Sequence, residues 1–218
     1  MKEKEYSLRE KKHAKTKIAI MNAFIKRLEK TPFQDISIRK ICKSVEVSGG
    51  TFFNYFSEKI DIINYYAHLI FLKIIWKTQK EIPPEKYLAS IEAVFKNAAA
   101  ELNNINIAYQ MISVMIMQRE KPKTIPISSI ERHLVFPNYH GIENIPAVFI
   151  DGFFESYLKE ALKNGELPKG TNINDVLVSL MAILGGTLLA AKLTNVKDQA
   201  YHYARQLKLL WKGLGVKV

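Results

Sequence analysis

The sequence is poor in the residues that hold a fold together by covalent bonds or metal. Its one cysteine, Cys42, excludes an intrachain disulfide and any metal site built from several thiolates, and it falls where a small core residue is expected. The five histidines are scattered without metal-ligand spacing, and only His133 and His140 stand near one another. No nucleophile–base pattern and no phosphate-binding loop is present, so catalysis has no visible apparatus and neither a cofactor nor a metal is expected. Residues 1–17 are charged throughout, without the apolar centre of a secretory leader. The uncharged run Val176 to Ala191 is 16 residues and includes two glycines, short of the ~20 apolar residues of a membrane helix. A cytoplasmic protein without a membrane partner is expected. Strand-period segments, internal repeats and low-complexity tracts are also missing.

What the sequence does have is positive charge, unevenly placed. The net charge is +11 over 218 residues, and residues 1–60 carry 14 Lys/Arg against 7 Asp/Glu. A basic N-terminal quarter suits a polyphosphate partner, although runs of lysine also serve simply as solvated helix faces. Hydrophobic content of 48% with 24% charged residues is that of an ordinary globular chain.

Helical periodicity accounts for nearly all of the rest. Ser7-x-x-Glu10 reads as a capping box, followed by an apolar stripe of Ala14, Ile18, Met21, Ile25 and Leu28. Lys11, Lys12, Lys15 and Lys17 fall largely off that stripe, Phe24 and Phe33 are expected core fillers, and residues 2–12 read as a basic arm. Ser37 caps a short helix with Ile38, Ile41, Cys42 and Val45 on one face. Ser48 caps a second, in which Phe52 and Phe56 point inward and Thr51, Phe53, Asn54 and Tyr55 outward. A long helix is predicted from Ser57 to Lys80, stopped by Pro83-Pro84. Further helices are predicted over 85–102, 104–119, 145–164, 172–193 and 197–211, with a proline-rich loop region, Lys121 to Gly141, that has room for one short helix. The fold class is all-α, with about nine helices.

Two short helices around a tight turn, the second exposed, have the geometry of a helix-turn-helix whose second helix enters the major groove. The run Ser37-Ile38-Arg39-Lys40-Ile41, with Val47-Ser48-x-Gly50-Thr51-Phe52-Phe53-x-Tyr55-Phe56-x-x-Lys59, resembles the N-terminal DNA-binding signature of the TetR family of transcriptional regulators. Two positions depart from that signature. Glu46 stands in the turn where glycine is usual, and is strained if the backbone there needs a positive φ; Phe53 replaces a frequent tyrosine and lacks its hydroxyl.

The resemblance implies a DNA-binding domain over 1–56 and a helical effector-binding and dimerisation domain over 57–218. Arg39 is the leading base-reading candidate, since a guanidinium can donate twice to guanine; a phosphate contact or an intrahelical ion pair is the alternative. Thr51 can meet a phosphate or a thymine methyl, Asn54 and Tyr55 fall at groove-facing positions, and Phe53 lies beside them. Gly49 and Gly50 would allow close backbone approach, with amide donors at the helix start that Ser48 caps. Ser37 and Lys59 are candidate phosphate contacts.

One reading helix covers too few base pairs, so a homodimer on a palindromic operator duplex is expected. Leu184, Gly185, Leu188, Leu207 and Trp211 in the last two helices are the candidate interface, with a buried core helix as the alternative. Tyr109, Met111, Met115, Phe149, Phe153 and Tyr157 in the middle helices are candidates for lining a pocket for a small hydrophobic, fatty-acyl-like effector; core packing is the competing reading. The function expected is a regulator, a repressor released by that ligand. The alternative is a DNA-bound protein-interaction factor of the same fold that ignores small molecules.

Overall fold

A computed structural model describes residues 6–118, 125–146, 148–194 and 197–216. Among these residues the secondary structure is entirely helical: α1 (Leu8–Leu28), α2 (Ile38–Ser44), α3 (Gly49–Tyr55), α4 (Lys59–Glu81), α5 (Tyr87–Glu101), α6 (Ile105–Ile116), α7 (Ser129–Val135), α8 (Ile150–Lys163), α9 (Ile173–Thr194) and α10 (Gln199–Gly213), with 3-10 turns at Phe33–Asp35 and Ile142–Asn144.

The predicted start signals act as read. Ser7 and Glu10 close a reciprocal capping box, and Ser37 and Ser48 cap α2 and α3. A second capping box, Ser128 with Glu131, opens α7, the short helix for which the proline-rich region had room. The helix predicted from Ile145 begins five residues later, because Pro146 disfavours helical geometry at the residue before it. The long helix starts at Lys59 rather than Ser57, the Asp61 carboxylate accepting from the Glu58 amide at 2.9 Å. Of the supposed basic arm, residues 2–5 lie outside the described residues and 8–12 are already helical.

The chain packs as two compact units. The first comprises residues 1–69 and 113–147, so α7 and its flanking turns belong with the N-terminal helices. Its core is Ile20, Phe24, Leu28, Ile41, Phe52, Phe56, Ile62 and Tyr65, all essentially inaccessible. Phe24 fills it as expected, while Phe33 is half-buried and meets the Phe24 ring edge-on. Lys17 departs from its sequence reading. It is only 7% exposed, between α1 and α7, with Nζ 3.0 Å from the Glu131 carboxylate, donating to the Pro126 carbonyl, and 4.2 Å above the Tyr65 ring. Glu131 is 3% exposed, and its other oxygen accepts from the Ser128 amide.

The second unit comprises residues 70–112 and 148–218. Here α5, α8, α9 and α10 pack in a ring of neighbours about Phe95, Phe154, Leu158, Leu180 and Tyr203. Phe95 stacks on Phe154 at 5.4 Å and meets Tyr203 edge-on. Two buried aromatic polar tips find partners: Trp211 Nε1 donates to Glu92, and the Tyr203 hydroxyl donates to the Leu184 carbonyl. Glu166 caps α5 from a distance, its carboxylate accepting from the Tyr87 and Leu88 amides. Lys73 and Lys77 both bind Glu101, at 2.8 and 2.7 Å.

Among the described residues one helix, α9, is long and apolar enough to cross a membrane, by length and composition alone. One side of it, with Val176, Leu180, Thr187, Leu188 and Ala191, is buried within the protein.

Candidate nucleic-acid interface

The pair α2–α3 is set by its turn. After α2, Val45 closes the helix, Glu46 takes φ 55, and the Val47 amide donates back to the Cys42 carbonyl at 3.0 Å. That is a Schellman stop with a left-handed residue at its corner. The ends of α8 and α10 repeat it with Gly165 and Gly215 in the left-handed position, so Glu46 holds the backbone the TetR signature reserves for glycine. Buried Ile41, Cys42 and Phe52 pin the two helices to the core.

The opposite face of α3 is open. Gly49, Gly50 and Asn54 are exposed, Thr51 and Tyr55 half-buried, and Phe53 is 53% exposed. A Cβ added at Gly49 would meet nothing within 4 Å, and at Gly50 only the Ser48 hydroxyl at 3.8 Å. Both glycines have helical backbone, so nothing inside the chain requires them. They lower helix propensity by about 1 kcal/mol each relative to alanine and leave bare backbone at the helix start. The Ser48 hydroxyl accepts from the Thr51 amide and lies 2.9 Å from the Thr51 hydroxyl, so the two are coupled across the first turn. Ser37 Oγ accepts from the Lys40 amide and is occupied as a cap. Arg39 is exposed on α2, and Lys11, Lys12 and Lys15 are exposed on α1.

Lys59 is corrected. It was expected to offer a phosphate a point charge, but its ammonium donates to the carbonyls of Phe33, Gln34 and Ile36 at 2.8, 3.0 and 3.3 Å and sits over the Phe33 ring. All three N–H donors are thereby spent on stapling the 3-10 turn to the start of α4. Burial lowers its pKa, against the opposing pull of Asp35. Sequence reading could not find this, because the acceptors are backbone atoms more than twenty residues away.

The interface candidates also divide. Leu188, Leu207 and Trp211 are each about 1% exposed within the single chain, so they are core, and no surface remains on them for a partner. Leu184 and Gly185 are half-buried. The outward apolar side of α9 runs instead through Val178, Met181, Leu189 and Leu193, the last 73% exposed. By helical period these four positions fall within about a third of the helix circumference, opposite Val176 and Leu180.

Of the six pocket candidates, Phe153 and Tyr157 stack at 4.0 Å, joined edge-on by Phe71 and Tyr87, with Phe153 buried. Met111 is buried, and Tyr109 is half-buried with Lys192 5.8 Å from its ring centre. Phe149 is half-buried at the α8 N-terminus, while Met115 falls in the segment that packs with the first unit. Burial raises the Tyr157 pKa. Phe153 and Met111 are buried, which is compatible with packed core and with the lining of an enclosed cavity. Cys42 is a buried core residue, His133 and His140 are exposed, and among the described residues no group of three or more His, Cys, Asp or Glu could hold a metal.

The architecture has solved counterparts. A tetR family transcription regulator from Shewanella sp. PV-4 superposes with a TM-score of 0.58 at 15% identity, covering 91% of this chain and 97% of that one. FadR from Bacillus subtilis, solved in complex with stearoyl-CoA, superposes with a TM-score of 0.61 at 17% identity, over 88% of this chain and 96% of that one. The chain has the TetR-regulator fold. A fatty acid metabolism regulator from Clostridium perfringens is similar as well, with a TM-score of 0.55 at 16% identity, over 92% of this chain and 98% of that one. No protein-family model and no curated protein matches the sequence. The TetR-type likeness therefore stands on three-dimensional shape, together with the motif at residues 37–59.

Proposed function

We propose that this protein is a sequence-specific DNA-binding transcriptional regulator, cytoplasmic and homodimeric, acting as a repressor that a small hydrophobic ligand releases. The observation that carries the reading is α3. Seven residues long, it buries Phe52 and leaves Gly49, Gly50 and Asn54 open in the most basic part of a TetR-type fold. A bare, basic-flanked helix start is suited to approach a phosphate backbone, while Asn54, Tyr55 and Arg39 supply groups that can read base edges. Residues 1–56 serve DNA and 57–218 serve dimerisation and ligand. No enzymatic reaction is assigned.

The dimer follows from half-site geometry, since a two-fold pair reads a palindrome. The outward face of α9 is the surface we assign to it. For the effector, the support is chemical: a stacked aromatic pair, Phe153 and Tyr157, beside buried apolar side chains, and a structural neighbour that holds stearoyl-CoA. Stearoyl-CoA and free long-chain fatty acids are therefore the first probes, and by linkage any that lowers DNA affinity must itself bind more weakly to the DNA complex.

Selection from random-sequence duplexes tests the central claim. Enrichment of a palindrome with half-sites about one helical turn apart is expected; recovery of no sequence in preference to bulk DNA sinks it. On the enriched duplex, Arg39→Ala should cost about 1–3 kcal/mol of specific binding and far less of non-specific binding. Equal loss of both in a salt-controlled gel shift removes the base-reading role.

A further inference from the structure

We infer that His13, near the start of α1, is a positioning residue for Tyr55, holding that ring at the end of α3 in the orientation presented to the duplex. The inference rests on the DNA-reading role proposed above and adds a residue from a different helix, one the motif does not contain. Tyr55 is the last residue of α3. A long helical side chain leans back over the residues three and four before it. For Tyr55 these are Phe52, which is turned into the core, and Thr51, which is short and tied by its hydroxyl to Ser48. Phe56 already leaves helical geometry, so no further turn of α3 supports the ring. A half-buried tyrosine so placed needs a wall from another element.

His13 supplies it. Its imidazole centre lies 4.6 Å from the Tyr55 ring centre, with the planes inclined at 49°. His13 is exposed, among exposed Arg9 and Lys12, where a larger aliphatic side chain would leave apolar surface in water. The contact restricts the ring before DNA arrives, and a side chain ordered in advance loses less freedom on binding. Thr51, Asn54 and Tyr55 share one side of α3, so fixing the outermost of them fixes the edge of the reading surface.

The test uses the full chain and the duplex enriched by the wild-type protein, at a salt concentration where Tyr55→Ala still binds measurably. His13→Ala should weaken binding about three- to tenfold, comparable to releasing one side chain. His13→Phe, which keeps a ring, should recover most of the loss. In a Tyr55→Ala background His13→Ala should change nothing further, and the slope of log affinity against log salt should stay that of the wild type, because no phosphate contact is removed. Losses that add independently of Tyr55, a slope reduced by about one counterion, or an affinity unchanged by His13→Ala each overturn the positioning role. A wild-type chain that enriches no duplex takes down the regulator reading and this inference together; enrichment with an indifferent His13→Ala takes down this inference alone.

Discussion

Single residues show where this chain departs from the pattern it otherwise follows. Three helices end in the same Schellman geometry, two with glycine at the left-handed corner and one with Glu46 at φ 55. An L-residue there costs roughly 1–2 kcal/mol, partly offset by the lower unfolded-state entropy of a non-glycine residue. Glu46→Gly should therefore stabilise the protein by about 0.5–1 kcal/mol in denaturant unfolding; a loss of stability would mean that the Glu46 side chain contributes an interaction of its own. The motif at residues 37–59 named this turn correctly and named Lys59 wrongly, for one reason. A corner's backbone conformation is set by the residues beside it, whereas the three carbonyls that take up the Lys59 ammonium come from a separate turn of the chain.

Between elements, charge decides more than its surface abundance suggests. Lys17 and Glu131 tie α1 to α7 across 114 residues of sequence, with side chains 9% and 4% exposed. Breaking such a pair leaves a buried charge uncompensated. Lys17→Met alone should cost about 3–5 kcal/mol of stability. The double variant Lys17→Met/Glu131→Gln, which keeps an acceptor for the Ser128 amide, should recover at least half of that loss in urea melts. A single variant as stable as the double would show the carboxylate already solvated.

A second acid works at lower pH. Burial pushes the Glu101 carboxyl up, but the hydrogen bonds and charges of Lys73 and Lys77 together outweigh it and hold the group below its ordinary 4.5. A carboxyl depressed by folding adds stability above the unfolded pKa and loses it as pH falls through the folded one. The stability difference between wild type and Glu101→Gln should be fully present near pH 6 and shrink below about pH 4.5. A difference that is constant down to pH 3 would contradict the pairing.

For the molecule as a whole, function depends on which apolar surface is left over after the core is built. If the proposed dimer forms through α9, the double replacement Leu189→Glu/Leu193→Glu should yield a monomer in light scattering while leaving the helical signal intact, and should abolish the proposed operator binding with it. A dimer that survives both charges lies elsewhere. All-α architecture, the capped starts of α1, α2 and α3, the stop at Pro83-Pro84 and the two-faced character of α3 were legible in the sequence. Each depends on neighbours within a turn or two of helix, and local sterics and hydrogen bonds fix them wherever the chain goes. The sequence also named α9 and α10 as rich in apolar residues. It could not say that Leu188 and Trp211 turn inward while Leu189 and Leu193 face out, that Lys17 is buried, or that α7 packs against α1. Those outcomes belong to the tertiary structure, because a helix's period fixes which residues share a face, and only the distant elements that cover that face decide whether it meets protein or water.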